Sequence, residues 1–420
     1  MRKRLDESSA FRIRGLRALF FAVALLVIPS TGIAQDIKLG MSAAFTGPIR
    51  GLGIELYRGS MAYLLEINDR GGVQGRRIAI IPLDDQYNPV ATILNTARLV
   101  QDDHVFALFD YVGTPTVTRI LPQLRQYHTR NALLFFPFTG AQPQRTPPYD
   151  KLAFNLRASY HQEVKAMVDN LVRVGRTRIC VFYQMDAYGQ SGRTGVELSL
   201  AQHKLRISGE AFYFRGTTYE QSMLHQVKAL EKTSPDAVIC IGAYGPCAAF
   251  IREARDAGLN IPICNVSFVG SENMLALLLR TGKERGKDYT RNLINSQVVP
   301  SYEDTSLPAV AEYRQLMDKW NVMPPKHLMA PGYKPRKYSP VSLEGFLNAK
   351  MLVEILRRMG RDPQQKNITN VVESVRDYDL GIGVPITFGP NKHQGLDKVF
   401  LTTVSDGRFV PIKDWGAWKK

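Results

Sequence analysis

The segment between residues 37 and 85 constrains the fold more than any other part of this sequence. A β-like run at 37–42 leads through a Gly/Pro turn into a helical pattern at 58–68, and a second β-like run follows at 77–83. The sequence Gly-Gly-Val-Gln-Gly at 71–75 ends the helix, because glycine accommodates the left-handed backbone at which helices stop. Two strands joined through a helix pair in parallel by a crossover connection. The segment therefore predicts the start of a parallel α/β sheet.

The same alternation of strands and helices occurs in two successive parts of the sequence. Apolar runs such as Ala-Val-Ile-Cys-Ile-Gly at 237–242 are typical of strands that are buried on both faces of a parallel sheet. The chain has 420 residues, which is more than a single domain usually contains. The sequence therefore predicts an α/β protein with two Rossmann-like lobes. The predicted strands are 37–42, 77–83, 105–111, 132–136 and 153–157 in the first part, and 178–183, 206–214, 237–242, 261–266 and 293–300 in the second.

The last third of the sequence adds helices and a hairpin. A Pro/Lys-rich stretch at 324–340 predicts an exposed, mobile loop. Two β-like runs at 398–404 and 408–412 flank Asp406-Gly407, and this dipeptide is a strong signal for a hairpin turn. The predicted helices are 307–320, 343–359 and 368–375.

Residues 1–34 have the composition of a cleavable signal peptide. Basic residues precede an apolar run at 18–28, and Gly32-Ile33-Ala34 supplies the small residues of a cleavage site. The run is shorter than the roughly 20 residues that span a bilayer, and no later stretch qualifies as a span. The first cysteine is Cys180, which argues against a lipid-anchored protein. We expect a soluble mature chain that begins near Gln35 and is located in the periplasm.

The charge of the chain is strongly basic but scattered. The formal net charge is +16, and loss of the six Lys/Arg and two Asp/Glu of residues 1–34 leaves +12. Local density occurs at 280–291 and 334–337, which we interpret as surface loops. Nucleic-acid binding predicts a basic stripe interleaved with aromatic residues, and the sequence has none. We therefore expect no nucleic-acid partner.

The four cysteines predict buried apolar positions rather than a metal or redox site. Three lie inside β-like runs, and no pair has CxxC spacing. An oxidising compartment leaves one disulfide as the alternative, between Cys247 and either Cys240 or Cys264.

No motif in the sequence supports catalysis, so we expect a non-enzyme without cofactor or metal. Asp84-Asp85 could act as paired carboxylates, but Asn88-Pro89 and a helical run follow, which favours helix capping. The seven histidines are dispersed. Nucleophile-elbow, P-loop and dinucleotide-binding signatures are missing from the sequence.

The order of several short motifs resembles the type I periplasmic binding proteins of the leucine/isoleucine/valine-binding class. The resemblance covers nearly all of residues 36–413. No single motif is specific for the family, but their occurrence together and in this order is. The matching motifs are Phe45-Thr46-Gly47-Pro48, Ile67-Asn68, Gly-Gly-Val-Gln-Gly at 71–75, Asp84-Asp85, Ala187-Tyr188-Gly189-Gln190, Ala243-Tyr244-Gly245-Pro246, the helix end at 254–258, Gly389-Pro390 and the hairpin at 406–411.

The resemblance implies two lobes that are joined by a three-segment hinge and that bind a ligand in the cleft between them. It assigns 36–156 and 302–383 to lobe I, and 157–301 and 384–420 to lobe II. It also implies a monomeric substrate-binding protein that captures a small molecule and docks on the membrane permease of an ABC transporter. A sensor kinase or chemoreceptor in place of the permease is the alternative.

The candidate ligand residues of lobe I follow its third and fourth strands, since ligands bind at the carboxyl ends of parallel strands. Gly113 permits close approach, and Thr114 either caps the next helix or binds the ligand. Phe138 favours a large apolar or aromatic ligand, with a core aromatic as the alternative. The full set is Tyr111, Gly113, Thr114, Phe138, Thr139 and Gly140.

The candidate ligand residues of lobe II are Tyr188, Tyr244, Ser267 and Glu272. The resemblance places both tyrosines at positions that close over the ligand, where a rigid ring with a polar tip is suitable. It places Glu272 where a carboxylate accepts an α-ammonium group. An exposed glutamate in the first turn of a helix is the alternative for Glu272.

These residues leave two ligand classes open. Glu272 favours an amino acid, whereas Phe138, the tyrosines and Leu52, which stands where this class often has an aromatic residue, favour an aromatic or other apolar acid. Both classes carry a carboxylate, for which the N–H groups of helix N-termini are suitable donors.

Overall fold

The structure is a computed structural model that describes residues 35–128, 132–361 and 363–420. The predicted signal peptide therefore lies outside the described residues. Residues 35–420 form one compact unit. Within the described part of the chain, no helix combines the length and the hydrophobicity that a membrane span needs.

Five strands of the N-terminal part form a fully parallel sheet, which we call the sheet of the first lobe. The strands are β1 (Ile37–Ala43), β2 (Ile78–Asp84), β3 (Ala107–Phe109), β4 (Leu134–Phe135) and β5 (Ala153–Phe154), and the helices between them are α1 (Arg50–Asp69), α2 (Pro89–Gln101) and α3 (Thr114–Tyr127). The spatial order is β2-β1-β3-β4-β5. Helix α2 begins where predicted: the Asn88 side chain accepts a hydrogen bond from Val90 N at 2.9 Å, and proline follows Asn88.

The second lobe carries a seven-stranded sheet. Its strands are β6 (Ile179–Gln184), β7 (Gly209–Tyr213), β8 (Ala237–Ile241), β9 (Ile263–Asn265) and β10 (Leu293–Gln297), with helices α4 (Tyr160–Arg173), α5 (Ala187–Gln202), α6 (Leu224–Glu231), α7 (Tyr244–Asp256) and α8 (Ser271–Arg285). These five strands are mutually parallel. Two late strands extend the sheet in antiparallel fashion from β10, and they form the predicted hairpin around Asp406 (φ 50°) and Gly407 (φ 70°).

The remaining elements pack mainly against the first lobe. They are α9 (Pro308–Trp320), α10 (Pro340–Arg358), α11 (Ile368–Glu373), β11 (Tyr378–Asp379) and β12 (Pro385–Ile386). The hairpin strands β13 (Phe400–Ser405) and β14 (Arg408–Pro411) belong instead to the sheet of the second lobe. Glycines let α10 approach α1 closely. A Cβ at Gly59 would lie 1.7 Å from Ser342 O, and one at Gly345 would lie 2.2 Å from Leu56 O.

The fold class predicted from the sequence is confirmed, since both parallel sheets are present. Each predicted strand overlaps an observed strand, and several of the observed strands are shorter than predicted. The predicted lobe boundaries stay a prediction. The segment after residue 383 contacts the first lobe before it reaches the second, since Phe388 packs 6.3 Å from Phe136 and 5.9 Å from Phe154, centroid to centroid. Asn155 forms an isolated parallel bridge with Gln394.

One expectation from the sequence is confirmed and another is confirmed only in part. All four cysteines are buried, as predicted, and all are free rather than joined in the alternative disulfide of Cys247. Much of the stretch 324–340 is exposed, as predicted, but it is also tied to buried Glu55 of α1. The Tyr333 hydroxyl and the Arg336 backbone N–H both donate to Glu55 Oε1, at 2.7 and 2.8 Å. We call residues 324–339 the strap.

Candidate functional site

Residues at the carboxyl ends of the two sheets contact each other directly. Gln184, the last residue of β6, donates from Nε2 to the hydroxyl of Tyr87, which lies three residues after β2, at 3.2 Å. Gly51 N donates to the Tyr244 hydroxyl, which follows β8, at 3.3 Å. The two sheets therefore point their carboxyl ends at one another, in the arrangement from which parallel α/β sheets bind ligands.

Aromatic rings fill the part of this interface nearest the chain crossings. Phe138 and Tyr188 lie 5.4 and 4.7 Å from Phe268, centroid to centroid. Tyr160 lies 5.2 Å from Tyr188, and Tyr87 lies 6.3 Å from Phe268. All five side chains are buried. We call these five residues the interlobe aromatic cluster; tilted ring pairs of this kind each contribute about 0.5–1.5 kcal/mol beyond area burial.

Two glycines bring the loops of the first lobe against the cluster. Gly113 has φ +108°, and a Cβ there would lie 2.3 Å from Tyr87 Cε2. A Cβ at Gly140 would lie 2.6 Å from Tyr160 Cδ1. Both positions therefore require the absence of a side chain for the rings to pack.

A hydroxyl pair lies beside the cluster. Thr114 Oγ1 and Thr139 Oγ1 are 2.7 Å apart, and the Thr114 hydroxyl also lies 3.4 Å from the Tyr160 hydroxyl. Both threonines are fully buried. Their hydroxyls thus satisfy each other inside the protein.

A buried ionic network lies behind the cluster, and Arg157 is its centre. The Arg157 guanidinium lies 3.3 Å from Glu163 and 3.3 Å from Glu344, and it also contacts the Ser267 hydroxyl. Glu163 accepts further hydrogen bonds from Ser267 N at 2.8 Å and from the Ser296 hydroxyl at 2.6 Å. Burial raises the pKa of Glu344 to about 7, against the opposing field of Arg157. We call the aromatic cluster and this network together the deep end of the interface.

Open space lies at the other end of the interface. A cavity of about 510 Å³, the mouth cavity, is lined by residues from both lobes and from the strap. Four of them are cationic, namely Arg50, Arg280, Lys334 and Arg336, whereas Glu220 is the one carboxylate in the lining. The strap closes one side, because Arg336 Nε donates to Asn273 Oδ1 at 2.9 Å.

A second cavity of about 240 Å³, the inner cavity, shares Pro48 and Thr217 with the mouth cavity. Hydroxyl and amide groups of Tyr87, Gln184 and Tyr213 line it. Those groups bond one another: the Tyr213 hydroxyl donates to Gln184 Oε1 at 3.1 Å. Arg215 is the one charged residue of this lining, which also contains apolar residues such as Ile49 and Pro246.

Comparison with known proteins identifies the family. Residues 36–408 match the family model described as periplasmic binding protein. The chain belongs to this family. The Leu/Ile/Val-binding protein of Escherichia coli (strain K12) is 22% identical over 270 residues, which cover 62% of this chain and 72% of that protein.

Solved structures agree with this result. A possible leucine/isoleucine/valine-binding protein from Rhodopirellula baltica SH 1 superposes with a TM-score of 0.79 at 31% identity, and the match covers 91% of this chain and 97% of that one. A substrate-binding periplasmic protein from Ralstonia solanacearum also has a TM-score of 0.79, at 28% identity over 90% of this chain and 100% of that one. The chain is thus a type I periplasmic binding protein related to the leucine/isoleucine/valine-binding class.

The structure brings most of the predicted ligand residues of this periplasmic binding protein to the deep end. These are Gly113, Thr114, Phe138, Thr139, Gly140, Tyr188 and Ser267. Tyr244 lies instead at the mouth cavity. Whether any of them touches a ligand stays a prediction.

Two predicted residues lie apart from the deep end and from both cavities. The Tyr111 hydroxyl is 3.1 Å from Thr96 Oγ1, inside the core between α2 and α3. Glu272 accepts a hydrogen bond from the Tyr302 hydroxyl at 2.8 Å. Burial raises the pKa of the Glu272 carboxyl to about 7, and the Tyr302 bond opposes this shift.

Sequence reasoning noted three of the four cations of the mouth cavity only as parts of basic surface loops at 280–291 and 334–337, and it did not connect them with a ligand. The first segment is not all loop, because α8 extends to Arg285. Arg50 is the first residue of α1, and Arg280 lies in the middle of α8. One feature of the sequence could have indicated the strap. Glu55 and Arg58 lie on a largely apolar helix, and a buried Glu55 requires polar partners, which another segment of the chain can supply. Among the described residues, no group of three or more His, Cys, Asp or Glu side chains could hold a metal ion.

Proposed function

We propose that this protein is the extracytoplasmic solute-binding component of an ABC importer and that it captures a small carboxylate-bearing organic ligand between its lobes. The main support for this proposal is that residues at the carboxyl ends of the two sheets contact each other. The cavities beside these contacts are lined by residues of both lobes. Family membership supports the same role.

Closure of the lobes is the physical basis of this function. Three hydrogen bonds join the lobes or join the strap to the second lobe, and each would break on opening: Gln184 to Tyr87, Gly51 to Tyr244, and Arg336 to Asn273. A ligand that contacts both walls favours the closed state through its differential affinity for that state. The permease then distinguishes loaded from unloaded protein by shape.

The proposal is tested by combining a ligand screen with measurements of closure and uptake. Thermal unfolding with candidate carboxylates should identify a ligand, since a ligand at 100 times its Kd adds about 2.7 kcal/mol of stability. Small-angle scattering should then show a smaller radius of gyration with that ligand than without it. Vesicles carrying a cognate permease and ATPase should take the ligand up only when this protein is added.

The outcomes separate the parts of the proposal. Ligand binding without any change in the scattering profile would contradict the closure mechanism. Binding and closure without support of uptake would assign the output to a sensor kinase or chemoreceptor rather than to an importer. Chemical turnover of the bound ligand would contradict a pure binding role.

A further inference from the structure

We infer that the physiological ligand is an organic anion with at least two negative charges and no cationic amine, and that its acidic groups lie in the mouth cavity. This inference rests on the proposed function and specifies its substrate class. Three observations support it: the cavity wall is mainly cationic, its cations have few partners in the protein, and the wall contains a single carboxylate.

The cations of the mouth cavity have few partners in the protein. Arg50, Lys334 and Arg336 make no ion pair with any described residue, and Arg280 lies 3.9 Å from Glu284 on the outer surface. The Nε atom of Arg50 is buried and has no hydrogen-bond partner, although its NH1 group donates to Gly47 O at 3.3 Å. A buried guanidinium N–H without an acceptor is costly. The same is true of Arg157 Nε at the deep end, so the mouth cavity is distinguished by cations without ion-pair partners rather than by this one atom.

Arg336 also retains donors for a ligand. Its side chain makes one hydrogen bond to described residues, from Nε to Asn273, while its backbone N–H and C=O are held by Glu55 and Arg58. The strap thus fixes the Arg336 backbone, and the two terminal nitrogens of the guanidinium are left over. Paired N–H groups of this kind bind carboxylate or phosphate oxygens in a bidentate manner.

The carboxylates near the cavity are outnumbered by its cations. Glu55 is paired with Arg58 at 2.7 Å, and Glu272 is bonded to Tyr302. Glu220 is exposed in the cavity wall, where a hydrogen bond from Thr218 together with the fields of Arg280 and Arg252 lowers its pKa, so it remains ionised. A zwitterionic amino acid would therefore bring its positive charge into a wall that carries four cations and one carboxylate.

The number of cations favours a ligand with more than one negative charge. A ligand with a single carboxylate would neutralise one of the four cations and would leave three without a ligand charge in the same cavity wall. Clefts with one sign of charge also concentrate ligands of the opposite sign and raise association rates about 10- to 1,000-fold at low salt. Both effects favour a di- or tricarboxylate, or a phosphorylated acid, over a neutral or monoanionic molecule.

Calorimetric titration of the full-length mature protein with defined probes tests this inference. Citrate, phthalate and glycerol phosphate are the polyanionic probes, and their ranking distinguishes carboxylate from phosphate recognition. Benzoate is the monoanionic probe, and leucine and leucinamide are the ammonium-bearing probes. We expect at least one polyanionic probe to bind more tightly than the other three, with an affinity that falls as salt is raised.

Variants connect the binding to the named cations. Arg50→Gln, Arg336→Gln and Lys334→Gln should each weaken the polyanionic probe, the two arginine changes roughly 10- to 100-fold, as expected for loss of a charged hydrogen bond. Lys228→Gln changes an exposed lysine of α6 that lines neither cavity, so it is the charge-matched control and should leave binding unchanged. Lys334 is also exposed, so its variant reports on binding without affecting folding.

The inference and the proposed function fail in different ways. Tight binding of leucine, leucinamide or benzoate that is unaffected by the three cavity variants would overturn the inference and would leave the receptor function intact. Binding of no probe from any class, with no change in the scattering profile, would contradict both.

Discussion

The two ends of the interlobe interface differ in how their charges are paired. At the deep end, Arg157 forms ion pairs with both Glu163 and Glu344, although its Nε atom has no hydrogen-bond partner among the described residues. At the mouth, Arg50 and Arg336 have no ionic partner among the described residues, and they line a cavity of about 510 Å³. Charges that pair with each other stabilise the fold, whereas we expect unpaired charges beside a cavity to act on a ligand.

This difference also separates stability from affinity. Substitutions at the deep end should mainly change the free energy of unfolding, because the charges there are buried and ion-paired and the rings are packed against one another. Substitutions at the mouth should mainly change ligand affinity, because the groups there are held in place but not fully bonded.

Arg157→Met should have the largest effect on stability. The change leaves Glu163 and Glu344 buried without their common cation, and breaking a buried ion pair in this way costs about 3–5 kcal/mol. Urea unfolding followed by circular dichroism measures the loss. Arg178→Met is the matched control: Arg178 pairs with Asp236, but its side chain is 49% exposed, so the cost should be about 0–1 kcal/mol.

A different result for Arg157→Met would contradict the assignment of stability to the deep end and of ligand affinity to the mouth. If this variant kept its stability and lost ligand affinity, Arg157 would be part of the ligand wall. The deep end would then open on ligand binding, and the predicted contacts of Phe138 and Ser267 would gain support.

Gly113→Ala should have the next largest effect. Alanine at φ +108° is strained by about 1–3 kcal/mol, and its Cβ would also lie 2.3 Å from the Tyr87 ring. Gly258→Ala is the matched control, since Gly258 has φ +85° and no atom within 4 Å of a Cβ. Urea unfolding should show a larger loss for Gly113→Ala than for Gly258→Ala. Equal losses would mean that the Tyr87 ring moves aside without cost.

The pH dependence of stability should show the burial of Glu272. Its pKa is raised from 4.5 to about 7, so between these values the folded state binds more protons than the unfolded state. Stability is therefore lost as pH rises through this window, by about 1–2 kcal/mol for a partly exposed group. Glu272→Gln should remove this part of the slope in unfolding curves measured from pH 4.5 to pH 8.

Two controls accompany the Glu272 experiment. Glu284→Gln, on the exposed side of the same helix, should leave the slope unchanged. Ligand affinity of Glu272→Gln should equal that of the unchanged protein, because the carboxylate is bonded to Tyr302 rather than directed at a cavity. A large loss of affinity would restore Glu272 as an ammonium receptor.

The sequence was sufficient for the fold because the signals involved are local and redundant. A buried strand such as Ala237–Ile241 is a continuous apolar run. Gly, Pro and Asn residues mark the positions where helices begin or end. The Asp406-Gly407 turn needs only its own two residues. None of these elements depends on which distant residue it contacts.

The site was predictable only in part, because the direction of a side chain depends on distant partners. Glu272 and Asn273 are neighbours in α8, yet Asn273 lines the mouth cavity while Glu272 bonds to Tyr302. Successive residues of a helix point about 100° apart, so a shift of one position moves a residue out of the site. The sequence gives no way to know that Tyr302, thirty residues later, would supply the partner.

The smallest expected effect concerns the two tyrosines that were predicted to close over the ligand. The Tyr244 hydroxyl accepts a hydrogen bond from Gly51 N across the interface, whereas the Tyr188 hydroxyl donates to Gly242 O within the second lobe, each at 3.3 Å. Only the first bond breaks when the lobes separate. Tyr244→Phe should therefore weaken ligand binding by about 0.5–1.5 kcal/mol, the net contribution of one hydrogen bond, in calorimetric titration with the polyanionic probe.

Tyr188→Phe is the paired variant, and it should lower the stability to urea without changing the affinity for the probe. The expected contrast follows from position alone, since both changes remove one hydroxyl and keep the ring. If Tyr188→Phe instead weakened binding and Tyr244→Phe did not, the ligand would lie among the rings of the deep end. The cationic mouth would then act in attracting the ligand rather than in holding it, and the salt dependence would appear in the association rate alone.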